Sequence, residues 1–247
     1  MKAILLCAGY ATRLYPMTEN YPKSLLIVKE KPILNHILEK INAAEDIDSV
    51  YVVSNKKFYF KFLEWAIKNQ KNCPKKLCLV NEFSTMPENQ KGGIFGAITA
   101  IEENRIKDDI LIILGDNLFE LDLNEFINFF KEKKSPCVAC YKLENIEGAK
   151  KFGVVQIDEN NKIMDVEEKP QNPKSDLIVT GIYALRKRDI KKLKKYYKYL
   201  EKNNQQSSNI NFTHFLKDIY KQESVYAFPF QGQWIDIGSK EDYEKVK

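Results

Sequence analysis

Lys2-Ala3-Ile4-Leu5-Leu6-Cys7-Ala8-Gly9-Tyr10-Ala11-Thr12-Arg13-Leu14 is the stretch around which the rest of the chain is read. Residues 2–8 form an apolar run of strand length, and the small-residue stretch from Gly9 onward breaks it. A strand running straight into such a loop can present a row of backbone N–H groups, and rows of that kind cradle phosphates. Ala8, Gly9, Tyr10 and Ala11 would form the row, and Thr12 adds a hydroxyl. Arg13 adds a guanidinium fork that fits phosphate oxygens two at a time. Lys23, after Pro16, Thr18 and Pro22, adds a point charge on a flexible stem. Composition alone is equally compatible with a surface turn carrying two solvated cations, so the rest of the chain has to decide.

Working outward, apolar runs and helical patterns alternate. Residues 32–45 read as a helix opened by Pro32. Residues 50–53 read as a β-branched strand, 58–68 as an aromatic-rich amphipathic helix and 77–80 as a third strand. Residues 81–91 are polar, contain Pro87 and read as a loop. Gly92 and Gly93 open a helix to about residue 103, and a glycine pair there permits close approach of a base or phosphate. Ile110-Leu111-Ile112-Ile113-Leu114 is continuously apolar, as expected of a central strand buried on both faces, and ends in Gly115-Asp116-Asn117. Strand–helix alternation of this kind predicts a doubly wound α/β sheet. Ligands of such sheets bind beyond the carboxyl ends of the strands, where both the opening loop and Asp116 lie.

Further on, residues 123–134 read as a helix and 138–143 as a strand. Residues 152–157 and 163–168 form a hairpin, and 179–185 another strand. Residues 188–202 are an amphipathic helix whose face of Lys191, Lys192, Lys194, Lys195 and Lys198 reads as solvated. Residues 202–211 read as a polar loop, 212–220 as a short helix and 225–230 as a strand. Trp234-Ile235-Asp236-Ile237-Gly238 and a closing helix end the chain. His36 and His214 have no second ligand at metal spacing and read as structural.

The 247 residues suffice for a full core, and 44% apolar with 30% charged residues is ordinary for a globular chain. A formal net charge of +5 suits an anionic substrate without demanding nucleic acid, which calls for a concentrated basic face. No apolar run approaches the roughly 20 residues of a membrane span, and the six apolar residues after Lys2 are too few for a signal-peptide core. The expected compartment is the cytoplasm. Five cysteines give no complete disulfide framework. Cys137 and Cys140 make a C-x-x-C, but within a strand residues three apart point to opposite faces and cannot share a metal.

Asp116 and Asp236 stand out by context. One or two carboxylates plus substrate phosphates are the usual Mg²⁺ arrangement, and the ion neutralises charge on a transferred phosphoryl group.

The order Ala8-Gly9-x-Ala11-Thr12-Arg13-Leu14-x-Pro16-x-Thr18, then Pro22-Lys23-x-Leu25-Leu26, resembles the signature loop of the nucleotidylyltransferases that make nucleotide sugars. Glucose-1-phosphate thymidylyltransferases and their uridylyl and cytidylyl relatives belong there. That family usually has Gly where this chain has Ala11, so Ala11 costs something if the position needs a positive φ. Gly115-Asp116-Asn117 resembles the family's G-D-N, and Trp234-x-Asp236-x-Gly238 its W-x-D-x-G. The two aspartates of these motifs bind catalytic Mg²⁺. Glu168-Lys169-Pro170 resembles its E-K-P, where Glu and Lys hold the acceptor and its phosphate. Phe152-Gly153-Val154 and Thr180-Gly181-Ile182-Tyr183 resemble its acceptor-pocket strands.

The resemblance implies a Rossmann-like fold with a mixed, mainly parallel sheet and a small β-rich acceptor-binding elaboration. It implies one domain over 1–247, with 1–135 the nucleotide-binding core and 136–247 binding the acceptor and completing the metal site. Arg13 and Lys23 become catalytic. Asn81, Gly92, Gly93 and Asp116 join the nucleotide site. Gly153, Glu168, Lys169, Thr180 and Gly181 take the acceptor, and Asp116 and Asp236 hold Mg²⁺. The implied partners are an NTP and a small phosphorylated metabolite, with no nucleic acid and no membrane; family members often form dimers or tetramers. Pro16-Met17-Thr18-Glu19-Asn20 looks like the compact cytidylyltransferases acting on phosphocholine-type acceptors, which slightly favours CTP. Glu168-Lys169-Pro170 and Thr180-Gly181 look like the sugar enzymes. The acceptor is thus a sugar 1-phosphate or a non-sugar phosphate such as phosphocholine or phosphoglutamine, in a surface-polysaccharide or capsule pathway. The alternatives are a dTTP- or UTP-dependent glucose-1-phosphate enzyme and a non-catalytic regulatory paralogue. No base-reading Gln is identifiable from the motifs.

Overall fold

The computed structural model describes residues 1–203 and 210–247; residues 204–209, within the expected polar loop, lie outside the described residues. The first part of the chain supplies β1 (Lys2–Leu6), the hairpin arms β2 (Ile27–Val28) and β3 (Lys31–Pro32), β4 (Ser49–Ser54), β5 (Lys76–Asn81) and β6 (Ile110–Leu114). Helices α1 (Ile33–Ala43), α2 (Tyr59–Gln70) and α3 (Gly93–Glu103) connect them. Then come β7 (Asn117–Phe119), α4 (Leu123–Lys133), β8 (Cys137–Lys142), β9 (Gly153–Ile157), β10 (Ile163–Glu168) and β11 (Leu177–Leu185). The chain closes with α5 (Ile190–Lys202), α6 (Phe212–Ile219), β12 (Tyr226–Phe230), β13 (Trp234–Asp236) and α7 (Lys240–Val246).

The main sheet has the order β10-β9-β11-β6-β1-β4-β5, with β8 and β12 branching from β11. Strands β6, β1, β4 and β5 are parallel. Strand β11 runs antiparallel to β6 and to β8, so the sheet is mixed, as expected. The chain winds outward from β1 through β4 to β5 and then returns to β6 on the other side of β1. That reversal opens a crevice at the carboxyl ends of β1 and β6.

Burial follows the apolar pattern. In β6, Leu111 and Ile113 pack with α1, α2 and α4 on one side of the sheet, and Ile110 and Ile112 pack with α3, α5 and α6 on the other. Each such side chain contributes roughly 1.5–3 kcal/mol. Cys137 joins the first layer and Cys140 the second, and both thiols are free. The C-x-x-C is thus two core residues, and burial pushes both thiols far above the usual range.

One reading needs correction. Two of the five lysines on the α5 face are tied down rather than simply solvated: Lys192 pairs with Glu223, and Lys194 with Glu102 at 3.0 Å. His214 is structural, as read: its Nδ1 lies 3.0 Å from the Asn211 carboxamide oxygen in the N-cap of α6. The stretch after Asp116 is a strand, β7, which pairs with β13. His36 is structural, with Nε2 2.8 Å from the Val28 carbonyl. No helix among the described residues is long and apolar enough to cross a membrane.

Candidate active site

The loop after β1 is a turn of 3₁₀ helix at Thr12–Leu14, entered through Ala11 at φ 48° and ψ 46°. The position therefore needs the left-handed conformation, which costs an alanine roughly 1–2 kcal/mol. Thr18 helps hold it there, its hydroxyl donating to the Ala11 carbonyl at 2.7 Å. We expect Ala11→Gly to keep activity and raise stability in urea unfolding by about 0.5–1 kcal/mol. Ala11→Val should lower it, since branching worsens the strain; equal stability of all three would mean that the backbone relaxes.

The loop lines a cavity of about 380 Å³ at the carboxyl ends of β1 and β6. Ala8, Gly9, Tyr10, Ala11, Thr12, Arg13, Lys23, Gly92, Gly93 and Asp116 all face it. Ten expected positions from four separate segments thus meet in one cleft. Gly96 also lines it; a Cβ there would sit 3.1 Å from the Val53 side chain. Asn81 does not line the cavity; its carboxamide oxygen accepts the Phe83 N–H at 2.8 Å. Gln90 does line it, and its Nε2 donates to the Ala8 carbonyl at 3.3 Å. Gln90 sits in a stretch with neither periodicity nor motif, so only the fold places it. Beneath the loop, Tyr10 OH is 3.5 Å from Ser84 Oγ, and Ser84 donates to the buried Glu82. Burial pushes the Glu82 carboxyl up to about 7.

Lys23 is buried, with Nζ 2.8 Å from Asp116 Oδ2. The other carboxylate oxygen of Asp116 accepts from Asn117 Nδ2 at 2.9 Å. Asp236 arrives from 120 positions further along the chain through the β7–β13 ribbon, in which it pairs with Asn117. The next residue fastens the ribbon, as Ile237 N–H donates to the Asp116 carbonyl at 3.3 Å. Arg13 closes the group: a Cβ on Gly238 would sit 3.2 Å from Asp236 Oδ2 and 3.9 Å from Arg13 Nη1. Burial and then the Asp116 charge raise the Asp236 carboxyl to about 6, while Lys23 and Arg13 pull it down. Two carboxylates that resist joint ionisation are a donor set suited to a small hard cation. Among the described residues no group of three or more His, Cys, Asp or Glu side chains could hold a metal. Two carboxylates suffice for Mg²⁺ when substrate phosphates and water complete its shell.

The remaining expected residues form a second group beside the cleft. Gly181, at φ 80°, lies against Leu114, which lines the cavity; a Cβ there would come within 2.6 Å of Leu114 Cδ1. Thr180 is buried and its hydroxyl donates to the Ala139 carbonyl at 2.8 Å, so its side chain braces the sheet. A Cβ on Gly153 would collide with Thr213 at 2.6 Å. Glu168 Oε1 accepts from Asn211 Nδ2 at 2.8 Å, while its Oε2 is buried without a partner among the described residues. Lys169, exposed and at φ 46°, places Nζ 3.8 Å from Glu168 Oε1. Asn211 and Thr213 were not singled out from sequence, since an N-cap Asn has no motif of its own. Helix α6 joins the two groups: a Cβ on Gly93 would lie 3.8 Å from Phe212.

Known proteins resemble this chain over its whole length. It is 35% identical over 242 residues to the bifunctional protein GlmU of Methanocaldococcus jannaschii, covering 96% of this chain and 51% of that protein. It is 30% identical over 239 residues to a bifunctional sugar-1-phosphate nucleotidylyltransferase/acetyltransferase of Sulfurisphaera tokodaii, covering 96% and 52%. The chain spans about half the length of the curated relatives it matches first. In fold it is similar to a UDP-glucose pyrophosphorylase solved with UDP-glucose, at TM-score 0.78 and 24% identity over 99% of this chain and 96% of that one. The nucleotidyl transferase family matches residues 2–247, and the chain, with its opening loop, Lys23 and Asp116 gathered in one cleft, belongs to that family.

Proposed function

We propose that the protein transfers a nucleotidyl group from an NTP to the phosphate of a sugar 1-phosphate, releasing pyrophosphate. The observation that carries this reading is that Arg13, Lys23 and Asp116 line one cavity with the opening loop, while Asp236, paired with Asn117 and outside the cavity lining, feels the charges of all three. The acceptor oxygen bonds to the α-phosphorus, the bond to the β-phosphate oxygen breaks, and the leaving group carries the electron pair away as pyrophosphate. A phosphomonoester is largely dianionic at pH 7, so no strong general base is needed and catalysis is positioning plus charge stabilisation. Arg13 holds the β- and γ-phosphates, Lys23 the α-phosphate, and the loop N–H groups of residues 8–12 the rest of the triphosphate. Gly92 and Gly93 leave room for the base, and Gln90 offers it a carboxamide. Lys169 meets the acceptor phosphate, and Glu168 Oε2, unpartnered among the described residues, accepts from an acceptor hydroxyl. Mg²⁺ held by Asp116 and Asp236 would neutralise charge on the triphosphate.

The sugar 1-phosphate is supported by the name of the Sulfurisphaera relative. CTP is the first nucleotide to test, on the likeness of residues 16–20 to the compact cytidylyltransferases; dTTP and UTP come next. The test is pyrophosphate release with each of CTP, UTP, dTTP and GTP against sugar 1-phosphates, phosphocholine and phosphoglutamine. Release with sugar 1-phosphates alone is expected. Release only with phosphocholine or phosphoglutamine would replace the acceptor and point to a capsule-type pathway. Absence of release from every pair would overturn the reading in favour of a non-catalytic nucleotide binder.

A further inference from the structure

A second cavity, of about 630 Å³, lies at the other end of the sheet. It is walled by the residues just before β6 and just after β11, near Asp109 and Lys187. Leu185 pairs with Ile110 in the ladder, so this is the amino end of β6, whereas the active-site cleft is at its carboxyl end. The rim carries Lys131, Lys134, Lys187, Arg188 and Lys191, against Asp109 alone, and Phe130 forms an apolar floor.

Most of these cations are not neutralised. Lys131 has Asp46 at 2.6 Å. Among the described residues, Lys134, Lys187, Arg188 and Lys191 are exposed and have no ion-pair partner. Asp109 does not serve them by charge pairing: its carboxylate accepts the backbone N–H of Lys187 at 2.7 Å. The wall itself is rigid. Arg186 is buried, held by Asp189 at 2.6 Å and by Glu223 at 3.0 Å, and it donates to the Lys134 carbonyl. Arg188 donates to the same carbonyl at 3.3 Å. The two stretches carrying the cations, 131–134 and 187–191, are thereby tied to each other before any ligand arrives, which lowers the ordering cost of binding.

We infer that this cavity is an anion site for a small ligand bearing two or more phosphoryl groups, separate from the active-site cleft. Four cations from two stretches of the chain need several negative charges on one molecule. The volume is that of a small-molecule pocket, and a concave rim with an apolar floor differs from the extended basic stripe that follows a nucleic-acid backbone. Being at the far end of β6, the site does not compete with the triphosphate.

The test is calorimetric titration with inorganic tripolyphosphate, in chelator and about 50 mM salt. Arg13→Ala/Lys23→Ala protein is used, so that the cleft's own cations do not contribute. One saturable site per chain is expected, weakening with salt as screened charges do. Lys187→Glu/Arg188→Glu on that background should weaken binding by about tenfold or more, with the circular dichroism spectrum unchanged. The milder Lys134→Ala/Lys191→Ala pair should weaken it in the same direction, so a folding failure in the first variant does not decide the matter. Unchanged affinity in both variants, absence of a saturable site, or tighter binding of short duplex DNA than of tripolyphosphate would each overturn the inference. Because the readout is binding to a protein with a disabled cleft, it stands or falls apart from the proposed reaction.

Discussion

Replacing Lys23 with alanine should lower kcat by about 10²–10³-fold, the scale for removing one preorganised charge donor at a reacting group. Lys23 is buried at the end of the opening loop and its Nζ lies 2.8 Å from Asp116. A flexible lysine in water would lose rotamer freedom on reaching a phosphate; this one is already held in place by the fold. Its positive charge, next to the carboxylate expected to carry the metal, stands where the proposed reaction would put the α-phosphate. The loss should fall on kcat more than on KM, because Arg13 and the loop N–H groups still bind the triphosphate. Lys23→Arg should not restore full activity, since the larger planar fork in this buried position would pair bidentately with Asp116 and present its charge differently from a compact ammonium. Steady-state kinetics on the purified variants, with thermal melts as a folding control, decide it. An unchanged kcat would remove Lys23 from the chemistry.

Asp236→Asn should abolish most activity and yet stabilise the ligand-free protein at neutral pH. The folded protein holds the Asp236 proton until about pH 6, against an ordinary value of 3.8, because burial and Asp116 both oppose its charge. Below about pH 4 folded and unfolded chains are both protonated, and the group contributes nothing. Between pH 4 and 6 the unfolded chain ionises first, so stability falls as pH rises. Above pH 6 both are ionised and the folded state bears the full cost, at most about 3 kcal/mol. Asparagine removes that cost. The melting temperature of Asp236→Asn should exceed that of the parent by a few degrees at pH 8 and match it near pH 4. A variant less stable than the parent at pH 8 would mean that Asp236 makes a stabilising contact. The site is in this sense paid for by the scaffold, as expected where carboxylates are gathered for a cation rather than for the fold.

Much of this arrangement was legible from residue order. The apolar run of β1 ending in Gly9, and that of β6 ending in Gly115-Asp116, carry strand and ligand loop in contiguous sequence, so their pattern survives without tertiary information. The opposite facing of Cys137 and Cys140 follows from strand pleat alone. The β7–β13 ribbon was not legible as a pair. Its arms are three residues each, far apart in the chain, and such short strands have no periodicity to read. Likewise Gln90, Asn211 and the His214 cap depend on where a loop or a helix start is carried by its neighbours. The left-handed Ala11 was legible only as a cost conditional on geometry, and the geometry imposes it.

The proposal that one metal-bound triphosphate is gripped at once by the opening loop and by two aspartates distant in sequence is tested most directly by Mn²⁺ binding. The free ion can be followed by electron paramagnetic resonance, with and without a non-hydrolysable triphosphate. The account predicts that triphosphate tightens Mn²⁺ binding to the parent protein, and that Asp116→Asn and Asp236→Asn each remove that tightening. Equal Mn²⁺ affinity with and without triphosphate in the parent, or tightening that persists in both variants, would contradict it.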